Sequence, residues 1–167
     1  MKLIVSDHTL NNINTLKENG FTFFDLTNLN INNCIGCFSC WIKTPGKCII
    51  RDDAINIYPI LAKSDHLIYI SKIKYGGYDS IMKTYLERTI PIQQAFIRLY
   101  HNETHHIQRN VAYKKATIIA YGNISDHEKE IFKSLVTRNS HNMNFESYNV
   151  VFTNEEELDN EVLKWIK

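Results

Sequence analysis

Four cysteines, Cys34, Cys37, Cys40 and Cys48, fall within 15 residues of a 167-residue chain. Spacings of two, two and seven let three thiolates converge from one tight turn and a fourth return from a following turn, which suits a cubane [4Fe-4S] cluster. Zinc is a weaker fit, because structural zinc sites draw two Cys-x2-Cys pairs from separate turns and only one turn here is dense in cysteine. A redox dithiol at Cys37 and Cys40 is a third chemistry, without a thioredoxin-like setting around it. Thr44-Pro45-Gly46-Lys47 has Pro and Gly where a type II turn wants them. That turn would lay Cys48-Ile49-Ile50 alongside Cys40-Trp41-Ile42 and fold the last cysteine toward the first three.

A second group holds His101, Glu103, His105, His106 and Arg109. If this stretch were helical, positions four apart would share a face and could bind a metal. Solvated connector histidines are the plainer reading. No Gly-x-Ser-x-Gly elbow, His-Glu-x-x-His helix or Gly-x4-Gly-Lys-Ser/Thr loop is present, so serine hydrolase, zincin and nucleoside triphosphatase chemistry lose their usual signatures.

The elements that must position these residues follow from composition and pattern. Lys plus Arg is 19 against 18 for Asp plus Glu, a formal charge of +1. That offers no broad electrostatic footprint for nucleic acid or an anionic membrane. Apolar residues make up 44 %, enough for one cored domain over residues 1–167. The start, Met1 to Asp7, lacks the apolar run of a signal or a membrane span, and with clustered cysteines it suggests a cytoplasmic protein.

Leu3 to Val5, Phe21 to Leu26, His66 to Ile70, Ala116 to Tyr121 and Tyr148 to Phe152 read as strands. Helices are expected from a Ser6-Asp7 cap to Asn19, and from Asp52-Asp53 through Leu61, shortened or kinked at Pro59. Others should run from Ser80 through Leu86, resume over Ala95, Phe96 and Leu99, and span Ser125 to Arg138 and Glu155 to Lys167. Thr27 to Asn33 and His101 to Lys115 are read as connectors. The alternation gives an α/β, doubly wound parallel sheet, whose ligands bind at the carboxyl ends of the strands.

Two motifs carry a family likeness. The stretch with Cys34, Cys37, Cys40, Trp41, Cys48, Asp52 and Asp53, and the run Ser71-Lys72-Ile73-Lys74-Tyr75-Gly76-Gly77-Tyr78-Asp79-Ser80 followed by Met82, Lys83, Glu87 and Arg88, resemble the flavodoxin-like NAD(P)H-dependent FMN reductases and iron-sulfur flavoproteins. The resemblance implies a five-stranded flavodoxin-like sheet of order 2-1-3-4-5 and FMN at the strand ends. It also implies NAD(P)H and a small acceptor as partners and a homodimer with the flavin near its interface, while the near-neutral charge leaves no nucleic acid or membrane among the expected partners.

By that resemblance Ser71, Lys72, Ile73, Tyr75, Gly76, Gly77 and Tyr78 would hold the flavin ring. Gly122 and Asn123 would form a further contact after the fourth strand. Ser6, His8 and Thr9 would meet the phosphate near a helix start at Thr9, provided Asp7 turns away. Tyr75, Tyr78 or Trp41 could stack on the ring, and Lys72 could steady a reduced, anionic flavin. The connector after the fourth helix could bring His106 or Arg109 over a neighbouring site.

Three functions compete: an FMN-dependent NAD(P)H oxidoreductase, an electron carrier using flavin and a cysteine-held cluster, and a flavin-free partner-binding module of the same fold.

Overall fold

The computed structural model describes residues 1–166. The strands are β1 (Lys2–Ser6), β2 (Phe21–Asp25), β3 (His66–Lys74), β4 (Gly77–Tyr78), β5 (Gln93–Tyr100), β6 (Glu103–Gln108), β7 (Lys114–Tyr121) and β8 (Phe145–Thr153). The α-helices are α1 (Ile13–Glu18), α2 (Ser39–Ile42), α3 (Ala54–Lys63), α4 (Ser80–Glu87), α5 (Asp126–Asn142) and α6 (Leu158–Trp165). Five parallel strands stand in the order β2-β1-β3-β7-β8. Counted along the parallel strands alone, this is the expected 2-1-3-4-5.

The central strands are apolar on both sides, as a doubly covered parallel sheet requires. Leu3, Val5, Leu67, Tyr69, Ile118 and Ala120 face α3, α4 and α5. Ile4, Ile68, Ile70, Ile119 and Tyr121 face α1 and α6. Each fully buried Leu or Ile contributes roughly 1.5–3 kcal/mol.

Local rules set several boundaries. Ser125 caps α5 in a capping box with Glu128, whose side chain accepts from the Ser125 amide. In α4 the cap is Asp79, which accepts from the Ser80 amide, rather than Ser80 itself. Helix α3 continues through Pro59 to Lys63. The final helix is shorter than its acidic start suggested, beginning at Leu158; the expected end at Lys167 lies outside the described residues.

Three expectations are corrected. The first helix starts at Ile13, after Asn12, and not near Ser6 to Thr9, because Asp7 is drawn into the sheet instead of capping. The helix expected over Ala95, Phe96 and Leu99 is strand β5, and the connector after it contains β6. His101 and Asn102, with φ of 49° and 60°, close a two-residue hairpin in which Tyr100 pairs with Glu103. Propensity at 95–99 is overridden by this local hairpin, which supplies the backbone partners a resumed helix would have supplied. Finally, Cys40 to Ile42 do not run beside Cys48 to Ile50. They form α2, while the Thr44 to Lys47 turn does form, with Gly46 at φ 81° and the Lys47 amide donating to the Thr44 carbonyl at 2.8 Å.

Candidate functional site: a glycine hairpin at the sheet edge and a cysteine pocket

The carboxyl ends of β1, β3 and β7 are tied together by one side chain. Asp7, 6 % exposed, accepts from the Ser71 hydroxyl at 2.7 Å, the Lys72 amide at 3.0 Å and the Tyr121 hydroxyl at 3.1 Å. Burial pushes its pKa up, against the opposing effect of those bonds. Asp7 therefore turns inward, leaving the mouth to its neighbours.

Those neighbours are engaged among themselves. The Ser6 hydroxyl donates to the His8 carbonyl at 2.7 Å and accepts from the His8 amide at 3.0 Å. Thr9 donates to Asp25 at 2.8 Å. Burial raises the Asp25 pKa, but donors on Thr27, Thr9 and Asn28 outweigh it and hold the carboxyl below its usual range. His8 lies edge-on to Tyr121 at 5.3 Å and 3.8 Å from Glu155. The hydroxyls expected for a phosphate are thus held in internal bonds.

The Ser71 to Tyr78 segment is a tight hairpin continuing β3 into β4, with Ile73 paired to Tyr78 and Lys74 to Gly77. Tyr75 and Gly76 take φ of 54° and 73°, as a type I′ turn demands. A Cβ at Gly76 would lie 2.7 Å from Ile131 of α5, so this glycine permits close approach of a helix to the turn. Tyr78 packs edge-on to Phe132 at 5.0 Å and points into the core, and Trp41 donates to the Ile90 carbonyl beside the cysteines. Of the three candidate stacking residues, Tyr75 stands free, 93 % exposed.

One cleft borders this hairpin and a second lies at the start of α4. Lys72, Gly122, Asn123, Asn154, Glu155 and Glu156 line one of about 600 Å³. Thr27, Leu29, Ile31, Ser80 and Thr84 are in the wall of the other, of about 280 Å³. Lys72 reaches Glu155 at 3.6 Å, so its charge is partly balanced by a carboxylate that sequence reading did not single out.

The four cysteines come together. Cys34, Cys37, Cys40 and Cys48 line a single small apolar hollow of about 40 Å³, closed by Ile35, Phe38, Ile49, Ile50 and Ile90. All four are free thiols. Hydrogen bonds from Ser39 pull the Cys37 pKa down, whereas burial, then the nearby Cys48, Cys34 and Cys37, pushes that of Cys40 up. Among the described residues no three sulfurs lie within 4.8 Å of one another. A tetrahedral zinc with sulfurs ~2.3 Å away would set them ~3.8 Å apart, closer than any three of these thiols stand.

The pocket is anchored by Arg88, 2 % exposed. Its guanidinium donates to Asp52 at 2.6 and 2.9 Å, to the Asn32 carbonyl at 2.6 Å and to the Cys48 sulfur at 3.5 Å. Asp52 is held at a pKa of about 2, burial raising it and the Arg88 and Asn32 donors lowering it further. Sequence reading assigned this pair no role. The signal was present: Arg88, the residue that closes α4, continues the spacing of the buried Met82 and Tyr85, where a charge requires a partner.

His106 and Arg109 also belong to this side of the molecule. His106 packs on Trp41 at 4.7 Å, and Arg109 lies against Gly46. His101, His105 and His106 share no helix face. His105 and His106 point to opposite sides of β6, and His105 meets Glu103 and His141 instead.

Comparison with known proteins gives a shared fold and a partial likeness in sequence. No protein-family model matches the chain. It is 33 % identical over 86 residues to an iron-sulfur flavoprotein of Methanocaldococcus jannaschii, covering 50 % of this chain and 44 % of that protein. It is 32 % identical over 78 residues to one of Archaeoglobus fulgidus, covering 46 % and 34 %. The matches thus span less than half the length of either relative.

Over nearly the whole chain the fold superposes on an FMN-dependent NADH-azoreductase of Bacillus anthracis solved in complex with FMN. There the TM-score is 0.59 at 13 % identity, with 99 % and 94 % coverage. For an NAD(P)H:quinone oxidoreductase of Methanothermobacter marburgensis it is 0.58 at 14 %, with 96 % and 91 % coverage. The fold is flavodoxin-like, and about half of the chain is similar in sequence to iron-sulfur flavoproteins. The flavodoxin-like sheet explains why the glycine hairpin and Gly122-Asn123 meet: both follow parallel strands at the same edge. No described helix is long and apolar enough to cross a membrane.

Proposed function

We propose that this chain is an FMN-dependent NAD(P)H oxidoreductase that reduces flavin, a quinone or another small acceptor, acting as one unit over residues 1–167. The observation that carries the reading is the meeting of the Ser71 to Tyr78 hairpin with Gly122-Asn123 at the carboxyl edge of a flavodoxin-like sheet. FMN, when bound, supplies the hydride chemistry.

The ring end of the edge fits such a group. The Lys72 to Gly77 backbone and exposed Tyr75 offer a wall, and the Lys72 ammonium offers positive charge beside it. The phosphate end fits less directly. Ser6 and Thr9 would have to exchange internal bonds for the phosphate, and the ionised Asp25 would have to stay behind Thr9 and Thr27. Gly122 and Asn123, with Asn154 across the cleft, would hold polar atoms toward the ligand.

A second reading, electron transfer through a [4Fe-4S] cluster as well as flavin, is supported by the four cysteines of the apolar hollow. There Cys34, Cys37, Cys40 and Cys48 would be the ligands, and the Arg88 N–H at Cys48 would raise the potential by stabilising added electron density. A cysteine cluster of this kind is at home in a reducing, cytoplasmic setting. Exposed Phe96, Ile97 and Leu99 on β5 support a homodimer.

Anaerobic purification with a visible spectrum, iron analysis and an NAD(P)H oxidation assay tests both readings. Flavin absorbance with nicotinamide turnover is the expected result. Flavin and iron without turnover favour the carrier. A colourless protein that takes up no FMN overturns both.

A further inference from the structure

We propose that Glu103, His105 and His141 form a binding site for a divalent transition ion of the zinc type, clipping the β5–β6 hairpin to the end of α5. Glu103 and His105 are two apart on β6 and so present to one face, where His141 of α5 meets them. One donor atom from each lies within 4.8 Å of the others. His105 Nε2 is 2.9 Å and His141 Nδ1 3.3 Å from the same Glu103 oxygen. A tetrahedral zinc with ligands ~2.0–2.1 Å away sets such atoms ~3.3 Å apart, so two of the three separations are within a few tenths of an ångström of a ligand set and the third is within 4.8 Å.

The hydrogen bonding around His105 supplies the second observation. His105 is buried, and its Nδ1 lies 3.0 Å from the Asn142 side-chain oxygen. If Nδ1 donates there, as the outer partner of a metal-bound imidazole does, Nε2 of the neutral ring carries a lone pair. That lone pair would face a carboxylate oxygen, and a cation between the two acceptors would satisfy both. The competing arrangement, a neutral ring with its proton on Nε2 and the Asn142 amide turned to donate to Nδ1, holds no ion. Arg138 touches the other oxygen of Glu103 and leaves Oε2 to the imidazoles. His101, from the hairpin turn, stacks on His141 at 5.0 Å, and Tyr100 sets its edge against His101, His105 and His141. The histidine rings are therefore oriented by packing. With three protein ligands, the fourth position falls to water.

The site is separate from the cysteines, and cobalt distinguishes the two. Full-length protein is titrated with Co²⁺ and then Zn²⁺, following the visible spectrum and binding heat. The proposal expects one Co²⁺ per chain with ligand-field bands and no sulfur-to-cobalt charge transfer, displaced by Zn²⁺ and unchanged in Cys37→Ser. Affinity should drop by more than about 100-fold in His141→Ala and in the shape-conserving Glu103→Gln, beyond the 10–100-fold typical of losing an outer partner. Circular dichroism checks that both variants fold. Wild-type protein that takes up no cobalt, or cobalt binding that survives His141→Ala and Glu103→Gln but is lost in Cys37→Ser, overturns it.

Discussion

The sheet edge and the cysteine pocket are held by different means. At the edge, backbone ladders carry the load: β1, β3 and β7 are fixed by parallel pairing, and Asp7 adds a clasp across their ends. Around the cysteines there is little ladder. Residues 29–53 are mostly irregular, and one guanidinium, that of Arg88, reaches the loop at Asn32, Cys48, Ile50 and Asp52. A region built on paired strands loses a side chain and keeps its shape, whereas a region gathered around a single buried cation should lose its shape with it.

Arg88→Met is the strongest way to test that contrast. It leaves Asp52 buried without its partner, a change that costs about 3–5 kcal/mol. We expect the cysteine segment to become protease-sensitive and any iron to be lost, while the far-ultraviolet spectrum of the sheet and any flavin uptake persist. Loss of flavin and iron together would show the two regions to be one cooperative unit.

Gly76→Val should have the next largest effect, through packing. The residue sits at φ 73° with Ile131 where the new Cβ would go, and strain plus overpacking should cost ~2–4 kcal/mol. Flavin would be lost because the hairpin moves, so the variant alone says nothing about ring contact. Combining it with Ile131→Ala separates the causes. Recovered stability with flavin still excluded places the ring against the turn, and recovery of both makes Gly76 a packing residue.

Much of this was legible in the sequence. Continuous apolar runs such as Leu67 to Ile70 and Ala116 to Tyr121 announce buried parallel strands, and Ser125 with Glu128 announces a helix start. Pro45-Gly46 announces its turn, and the cysteine spacing announces a shared pocket. What escaped depended on contacts distant in sequence. Asp7 reads as a cap from its neighbours, and only Ser71 and Tyr121, 64 and 114 residues away, make it a clasp. His141 lies 36 residues past His105, so no local spacing joins them. In β5, by contrast, apolar residues at helical intervals competed with the adjacent His101-Asn102 turn, and the local hairpin prevailed.

Acid provides the gentlest test, because the two anchoring carboxylates respond to pH with opposite sign. Asp52 is depressed from 3.8 to about 2. The stability it contributes is complete above about pH 4 and disappears as the pH falls toward 2. Asp7 is raised above 3.8. It favours the folded state fully below that value, and this support is lost as the pH rises through its folded pKa. Between pH 4 and 2 the cysteine pocket should therefore loosen while the clasp at the sheet edge holds. Trp41 fluorescence in a Trp165→Phe background reports the pocket, and amide exchange at Ile70 to Lys72 reports the edge. Asp7→Asn should alter stability by only about 1 kcal/mol and remove the edge's pH response, leaving the acid transition of Trp41 unchanged. A Trp41 transition that shifts with Asp7→Asn would mean that the clasp and the guanidinium support each other, so that the two regions share one anchor.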